Sequence, residues 1–294
     1  MTLRFALVMD FAARDDARTD FEGTFATIDP SASALNIADL SAQRGDGIFE
    51  SIGVIDQHAQ DVILHLDRLA HSAGICDLPA PNRAQWQQAV ARAAEHCPPV
   101  GEAVIKLILS RGVEHGPSPT AWITASDATD FSGVRSAGVR VVTLDRGYDS
   151  GVPARAPWLL LGAKTLSYAV NMAALREARR RGADDAIFIT TDDVVLEAPT
   201  ASLILRAGDR FITPAPSGGI LHGTTQISLF DHLRAEGYQM AYEEVSVAAL
   251  YRADAAWLVS SVRLAAPITM IDDTELPVDA ELTASFNRYL LSPR

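Results

Sequence analysis

Cysteine is scarce in this 294-residue chain: Cys76 and Cys97 are the only two. They form no CxxC pair and have no His/Cys cluster nearby, so the expectation is two reduced thiols rather than a disulfide framework or a metal knot. Basic residues are also in deficit. There are 25 Lys plus Arg against 37 Asp plus Glu, giving a net charge of -12 and a pI near 5.0. Such a balance argues against nucleic acid and anionic membranes as partners. No apolar run approaches the roughly 20 residues of a membrane span. The N-terminal apolar run meets acids by Asp10 and lacks the flanks of a signal peptide. The expectation is a soluble, cytoplasmic chain with no nucleic-acid and no membrane partner. Also missing are the dinucleotide glycine fingerprint, the phosphate-binding loop, the two-histidine zinc-protease helix motif and the serine elbow of α/β-hydrolases. The seven histidines are scattered singly, and no metal site is expected.

What is present is ordinary globular material, 48% hydrophobic and 21% charged with a mean hydropathy of +0.09. That is enough for one large or two medium domains. Apolar alternation predicts strands at residues 3–9, 62–64, 103–109 and 121–124. Helical spacing predicts helices at 66–73 and 84–95, the second capped by Asn82 with Trp86, Val90 and Ala93 on one face. The polar stretch 126–136 reads as a linker. Beyond it, strands are predicted at 139–144, 186–190, 194–196, 203–206, 211–213 and 255–260, with helices at 168–181, 224–236, 246–251 and 279–291. The mixture is not a strict βαβ series, so the fold class is α+β. The expected division is an N-terminal domain over 1–126, a linker over 127–136 and a larger C-terminal domain over 137–294.

Four segments carry chemistry. In Gly162-Ala163-Lys164-Thr165-Leu166-Ser167-Tyr168 a lysine follows the apolar run 158–161. At the end of a buried strand its amine would be desolvated and nucleophilic; taken alone, the segment reads more readily as a lysine snorkelling from a strand end. In Val195-Leu196-Glu197-Ala198-Pro199-Thr200 a glutamate closes an apolar strand, where it could hold a pyridine nitrogen protonated or cap a backbone amide. Gly219-Ile220-Leu221-His222-Gly223-Thr224-Thr225 opens a helix, an anion-binding arrangement or an ordinary threonine cap. His65-Leu66-Asp67-Arg68-Leu69 places an arginine where a strand is predicted to turn into a helix, as a phosphate clamp or a partner of Asp67 or Asp61.

Together these segments resemble the class IV aminotransferase family, the fold-type IV enzymes of pyridoxal 5'-phosphate (PLP). Arg44-Gly45-Asp46-Gly47-Ile48-Phe49-Glu50 looks like a first signature and residues 65–69 like a second, while Lys106–Gly112 resembles a further strand and turn. The glutamate follows the lysine by 33 positions and precedes the glycine-rich helix start, as in the family. The resemblance implies two α/β domains with PLP in the cleft between them, usually as a homodimer. It implies Lys164 as the Schiff-base lysine and Glu197 as the partner of the ring nitrogen. Tyr168 matches a position beside the cofactor's 3-hydroxyl, and Arg68, Thr224, Thr225 and Ser261 match phosphate contacts. Arg111 and Arg263 are the candidates for binding substrate carboxylates. Two departures stand out: Thr225-Gln226 where many relatives have an arginine second, and Thr200-Ala201-Ser202 where Ser-x-Asn is usual.

Within the family the first signature and the lysine segment look most like 4-amino-4-deoxychorismate lyases. The resemblance then implies elimination of pyruvate from a carboxylate-bearing small molecule to give 4-aminobenzoate, a folate precursor, with Lys164 acting first as base and then as acid. The alternative is an aminotransferase for D-amino or branched-chain amino acids. A further alternative is a PLP-binding relative without catalysis.

Overall fold

The computed structural model describes residues 2–294 and divides into two compact units. The first runs to Thr129 and also takes Ala163–Tyr168 and Pro293–Arg294; the second holds Asp130–Gly162 and Ala169–Ser292. The lysine segment was expected in the C-terminal domain. It groups with the first unit because its backbone pairs there, as described below.

In the first unit, β1 (Leu3–Met9), β2 (Phe25–Ile28), β3 (Gly47–Ile55), β4 (His58–Ala59), β5 (Glu102–Ser110) and β6 (Thr120–Asp127) form one antiparallel sheet in the order β2-β1-β6-β5-β3-β4. A short helix α1 (Leu40–Arg44) precedes β3. Two longer helices, α2 (Val62–Ile75) and α3 (Arg83–Ala94), supply the apolar cover. Leu69, Trp86 and Ala89 lie in one buried cluster with Leu7, Ile52, Ile105 and Ile123 of the sheet. Asn82 caps α3, its side chain accepting from the Gln85 amide at 3.0 Å, and the expected face of Trp86, Val90 and Ala93 is buried. Residues 62–64 were expected as a strand but form the first turn of α2. Three consecutive apolar residues cannot display a period; the buried positions 65, 66, 69, 72 and 73 further along do.

In the second unit, α4 (Ser132–Ala137), β7 (Val139–Asp145) and α5 (Val152–Arg155) lead to α6 (Ala169–Arg180) and β8 (Asp185–Ile189). There follow β9 (Ser202–Ala207), β10 (Arg210–Pro214), α7 (Thr224–Ala235), β11 (Gln239–Glu243), α8 (Val247–Leu250), β12 (Ala255–Ser260), β13 (Leu264–Ile271), β14 (Thr274–Glu275) and α9 (Ala280–Leu291). The sheet order is β11-β10-β9-β12-β13-β7-β8, with β14 paired to β13. It mixes parallel pairs (β10 with β11, β13 with β7, β7 with β8) with antiparallel ones, so the α+β expectation holds for both units. Residues 194–196 make only isolated bridges to Ile189 and Ser246 instead of a full strand. The run 158–161, expected as a buried strand, is also different. Pro157–Leu159 is a single 3-10 turn with Trp158 74% exposed. Pro157 favours the start of such a turn because its φ is already set and it has no amide to donate. Among the described residues no helix is long and apolar enough to cross a membrane.

The core of the second unit is anchored by Trp257, fully buried between Phe211 and Phe286. Its indole N–H donates to Thr283 Oγ1 on α9 at 2.8 Å. Thr283→Val keeps the shape but leaves that buried donor without its acceptor. The expected cost is about 1–3 kcal/mol of unfolding free energy, read as a lower midpoint in a urea titration; an unchanged midpoint would show that the bond contributes nothing.

Candidate active site

The first signature, residues 44–50, builds a platform for the lysine. Asp39 caps α1 by accepting from the Ser41 amide, and Gly45 ends it in the left-handed region at φ 67°. Two residues on, Gly47 begins β3. A side chain at Gly47 would place its Cβ 2.8 Å from Leu109 O and from Leu166 Cδ1, a contact real Cβ atoms do not make. Glycine therefore lets the segment 163–168 lie directly against β3. There the Leu166 amide donates to Gly47 O at 2.8 Å, the Phe49 amide donates to Lys164 O at 3.0 Å, and Ile48 bridges Thr165. Ser72 Oγ on α2 accepts from the Lys164 amide at 3.1 Å. The lysine backbone is thus held from two sides. Its half-buried side chain places Nζ 4.6 Å from the centre of the Phe49 ring and 6.0 Å from that of Tyr168, and the two rings meet edge to face at 5.4 Å. These aromatic walls and the β3 ladder set the lysine's surroundings, in place of the buried strand end expected from the sequence.

Arg68 was expected at a strand-to-helix junction and instead lies in the second turn of α2. Its Nε donates to Glu50 Oε1 at 2.8 Å and its Nη2 to Glu50 Oε2 at 2.7 Å, a two-point contact. His65 Nδ1 lies 2.7 Å from the same Oε2. Glu50 is fully buried, His65 1% exposed and the Arg68 side chain 10%. Burial by itself raises the Glu50 carboxyl. The charge of Arg68 and the hydrogen bonds from Arg68 and His65 outweigh it and hold the pKa down at about 2. Burial pushes the His65 imidazole down despite its bond to Glu50, so it is the neutral ring that donates through Nδ1. Glu50 and His65 were not among the expected site residues. A signal existed: Ile48, Glu50 and Ile52 alternate onto one face of β3, and a carboxylate in an apolar row requires a buried partner.

In the second unit Glu197 sits opposite Phe188, whose amide donates to Glu197 O at 2.9 Å. Its carboxylate Oε1 accepts from the Leu221 amide at 3.2 Å. The loop beyond it is closed by the Ala198 amide on Ala201 O at 3.0 Å and held by Asn171 Nδ2 of α6 on Pro199 O at 2.7 Å. Thr224 and Thr225 are the first two residues of α7, which has Gly223 at its cap and no side-chain cap bond. Their hydroxyls lie 3.4 and 3.2 Å from Ser261 Oγ, so three of the expected phosphate contacts form one hydroxyl cluster at a helix start, with Thr224 and Thr225 buried and Ser261 half-buried. Gln226, one of the departures, donates to Tyr242 OH at 3.0 Å.

The two arginines expected at a substrate carboxylate each have partners within their own unit. Arg111 binds both oxygens of Asp46 at 2.7 and 3.2 Å and the carbonyls of Cys76 and Asp77 at 2.7 and 3.1 Å. Arg263 is in ion-pair contact with the buried Asp185 at 2.7 Å, 5.8 Å from the Phe131 ring centre. Each guanidinium braces its own unit. Adjacent sequence gave no sign of this, because the partners lie 65 and 78 positions away.

Comparison with known proteins covers nearly the whole chain. The model of the family described as amino-transferase class IV matches residues 47–271. The chain is 43% identical over 260 residues to the bifunctional aminodeoxychorismate lyase / D-amino acid transaminase of Mycobacterium tuberculosis, covering 85% of this chain and 90% of that one. It is similar to the structure of a fold IV transaminase from Curtobacterium pusillum, with 47% identity, a TM-score of 0.92 and 99% of each chain covered. A hypothetical aminotransferase from Mycobacterium tuberculosis, in its α-ketoglutarate and PMP bound form, is similar at 40% identity and a TM-score of 0.89, over 98% of this chain and 100% of that one.

The Glu50 carboxyl gives the first unit a defined acid sensitivity. Its pKa is depressed in the folded state, so its stabilisation is fully present above the ordinary glutamate pKa of about 4.5 and is lost as pH falls from there toward about 2. Acid titration of Glu50→Gln, followed by circular dichroism, is expected to lose less stability across that window than the natural chain. Parallel acid profiles for the two proteins would rule out a titrating Glu50.

Proposed function

Because this chain belongs to the class IV aminotransferase family and is a PLP-dependent enzyme of the fold-type IV class, we propose that it eliminates pyruvate from 4-amino-4-deoxychorismate to give 4-aminobenzoate. The observation that carries the enzyme reading is that Lys164 in the first unit and Glu197 in the second are each positioned by hydrogen bonds within their own unit. The donors of each unit fit PLP. In the first unit a lysine amine walled by Phe49 and Tyr168 suits covalent attachment and Arg68 suits a phosphate. In the second unit the Glu197 carboxylate suits a protonated ring nitrogen, and the Thr224, Thr225 and Ser261 hydroxyls at a helix start suit a phosphate. When bound, PLP supplies an electron sink conjugated to the substrate's amine.

The chain's own residues supply the rest. Lys164 Nζ would hold the cofactor's aldehyde; as a free amine it would take the proton from the substrate's amine-bearing carbon and return a proton to the departing enolpyruvyl methylene. Glu197, oriented by the Leu221 amide, would keep a proton on the ring nitrogen. Thr224 and Thr225 add hydroxyl donors to the amides of the α7 first turn. We propose a small-molecule substrate with carboxylates and a homodimeric assembly, as the resemblance implies.

A second reading, transamination of D-amino acids, is favoured by the names of two relatives: the Mycobacterium tuberculosis protein carries both activities in its name, and the Curtobacterium pusillum structure is called a transaminase. Lys164 and Glu197 serve either reaction. Purified protein should be given 4-amino-4-deoxychorismate in one assay and D-alanine with α-ketoglutarate in another. Release of pyruvate together with 4-aminobenzoate in the first supports the lyase; glutamate formation in the second without 4-aminobenzoate in the first replaces it with the transaminase.

The cofactor linkage is unusually easy to map, because Lys106 and Lys164 are the only lysines in the sequence. Lys106 is exposed on β5. Borohydride reduction is expected to bleach a visible absorption band and fix the cofactor on the peptide containing Lys164; an adduct on Lys106 would sink the assignment. Glu197→Gln is expected to bind PLP yet lose most turnover, since a neutral amide cannot hold the ring nitrogen protonated. Near-normal turnover in that variant contradicts the role.

A further inference from the structure

Helix α2 carries His65, Arg68 and Ser72 at spacings of three and four, which places them along one face. Two things on the first unit meet that face. Glu50, from the middle of β3, takes Nε and Nη2 of Arg68 with its two oxygens. The backbone of Lys164 is taken by Ser72. The helix face therefore addresses both the arginine assigned to the cofactor phosphate and the lysine assigned to its aldehyde.

A guanidinium held through two parallel N–H bonds has its plane fixed, whereas one held by charge alone can rotate. Glu50 fixes that plane, and His65, packed at 1% exposure and bonded to the same carboxylate, keeps the carboxylate from turning. The carboxylate is also a negative charge next to a cation meant for a dianion. By Coulomb's law alone Glu50 weakens phosphate binding. Charge and orientation thus predict opposite signs for its removal.

We propose that Glu50, braced by His65, is a positioning residue that orients the Arg68 guanidinium and thereby sets the preference for phosphorylated over unphosphorylated cofactor. This rests on the reading of Arg68 as a phosphate contact. Orientation outweighs charge because a misaligned guanidinium loses the directed, charge-assisted hydrogen bonds, while the repulsion from Glu50 is already largely cancelled by Arg68 itself.

The test is titration of the full-length protein, stripped of cofactor, with PLP and with pyridoxal, which lacks the phosphate. The readout is the ratio of the two dissociation constants, with circular dichroism and a thermal melt on every variant. Arg68→Ala should collapse the preference for PLP by roughly tenfold to a hundredfold, and an unchanged ratio there removes the phosphate reading of Arg68 itself. Given that collapse, Glu50→Gln should lower the preference on the order of tenfold while leaving pyridoxal affinity in place. A preference that is unchanged or increased in Glu50→Gln overturns the positioning role and leaves Arg68 as a simple charge. Should Glu50→Gln not fold, Glu50→Asp decides: it keeps the charge but is one methylene too short to hold both N–H groups in the same geometry. A lowered preference for PLP there supports positioning, and one equal to or above that of the natural chain overturns it.

Discussion

The approach of the 163–168 segment to β3 is the constraint on which the first unit's half of the chemistry depends. It is made by backbone, through the Leu166 amide on Gly47 O and the Phe49 amide on Lys164 O. It is permitted by the missing side chain at Gly47, where a Cβ would press on Leu109 O and Leu166. A flexible lysine gains a defined reach only when its own backbone is fixed. Here the β3 ladder fixes one side and Ser72 the other. Phe49 then has two tasks, because its amide anchors the lysine's carbonyl and its ring walls the lysine's amine.

The same strand presents Glu50 to the opposite face. Alternation along β3 sends Phe49 toward the lysine and Glu50 inward, between Ile48 and Ile52, where a carboxylate is stable only if charged partners meet it. Arg68 and His65 do so from α2. The string of residues 44–50 is therefore one device. Two glycines allow close approach, one aromatic residue lines the amine, and one buried acid orders the arginine.

The second unit solves its task with backbone amides. Glu197 is placed by β8 through Phe188 and oriented by the Leu221 amide, and its loop is tied down by Asn171. The Ser-x-Asn to Thr-x-Ser change beyond Glu197 leaves those bonds intact, since they use main-chain groups and a residue of α6. Gln226, one of the two departures from the family pattern, turns to Tyr242 and leaves the hydroxyls of Thr224, Thr225 and Ser261 as a cluster of their own.

What the sequence determined by itself was whatever lies within a few residues. The Asn82 cap, the buried face of α3, strands β1, β5 to β10 and β12, and the start of α7 at Thr224 were legible, because periodicity and capping are local, whereas β3 and β13 were not expected. So was the family, since the order of lysine, glutamate and glycine-rich helix start is written along the chain. What only the tertiary structure decided were the partners. Residues 62–64 became helix because the rest of α2 buries one face. The run 158–161 came out of the core as a turn with Trp158 exposed. Arg111 pairs with Asp46, Arg263 with Asp185 and Arg68 with Glu50. A charged side chain's role depends on which opposite charge shares its surroundings. That is fixed by the packing of strands and helices far apart in sequence, which no local pattern records.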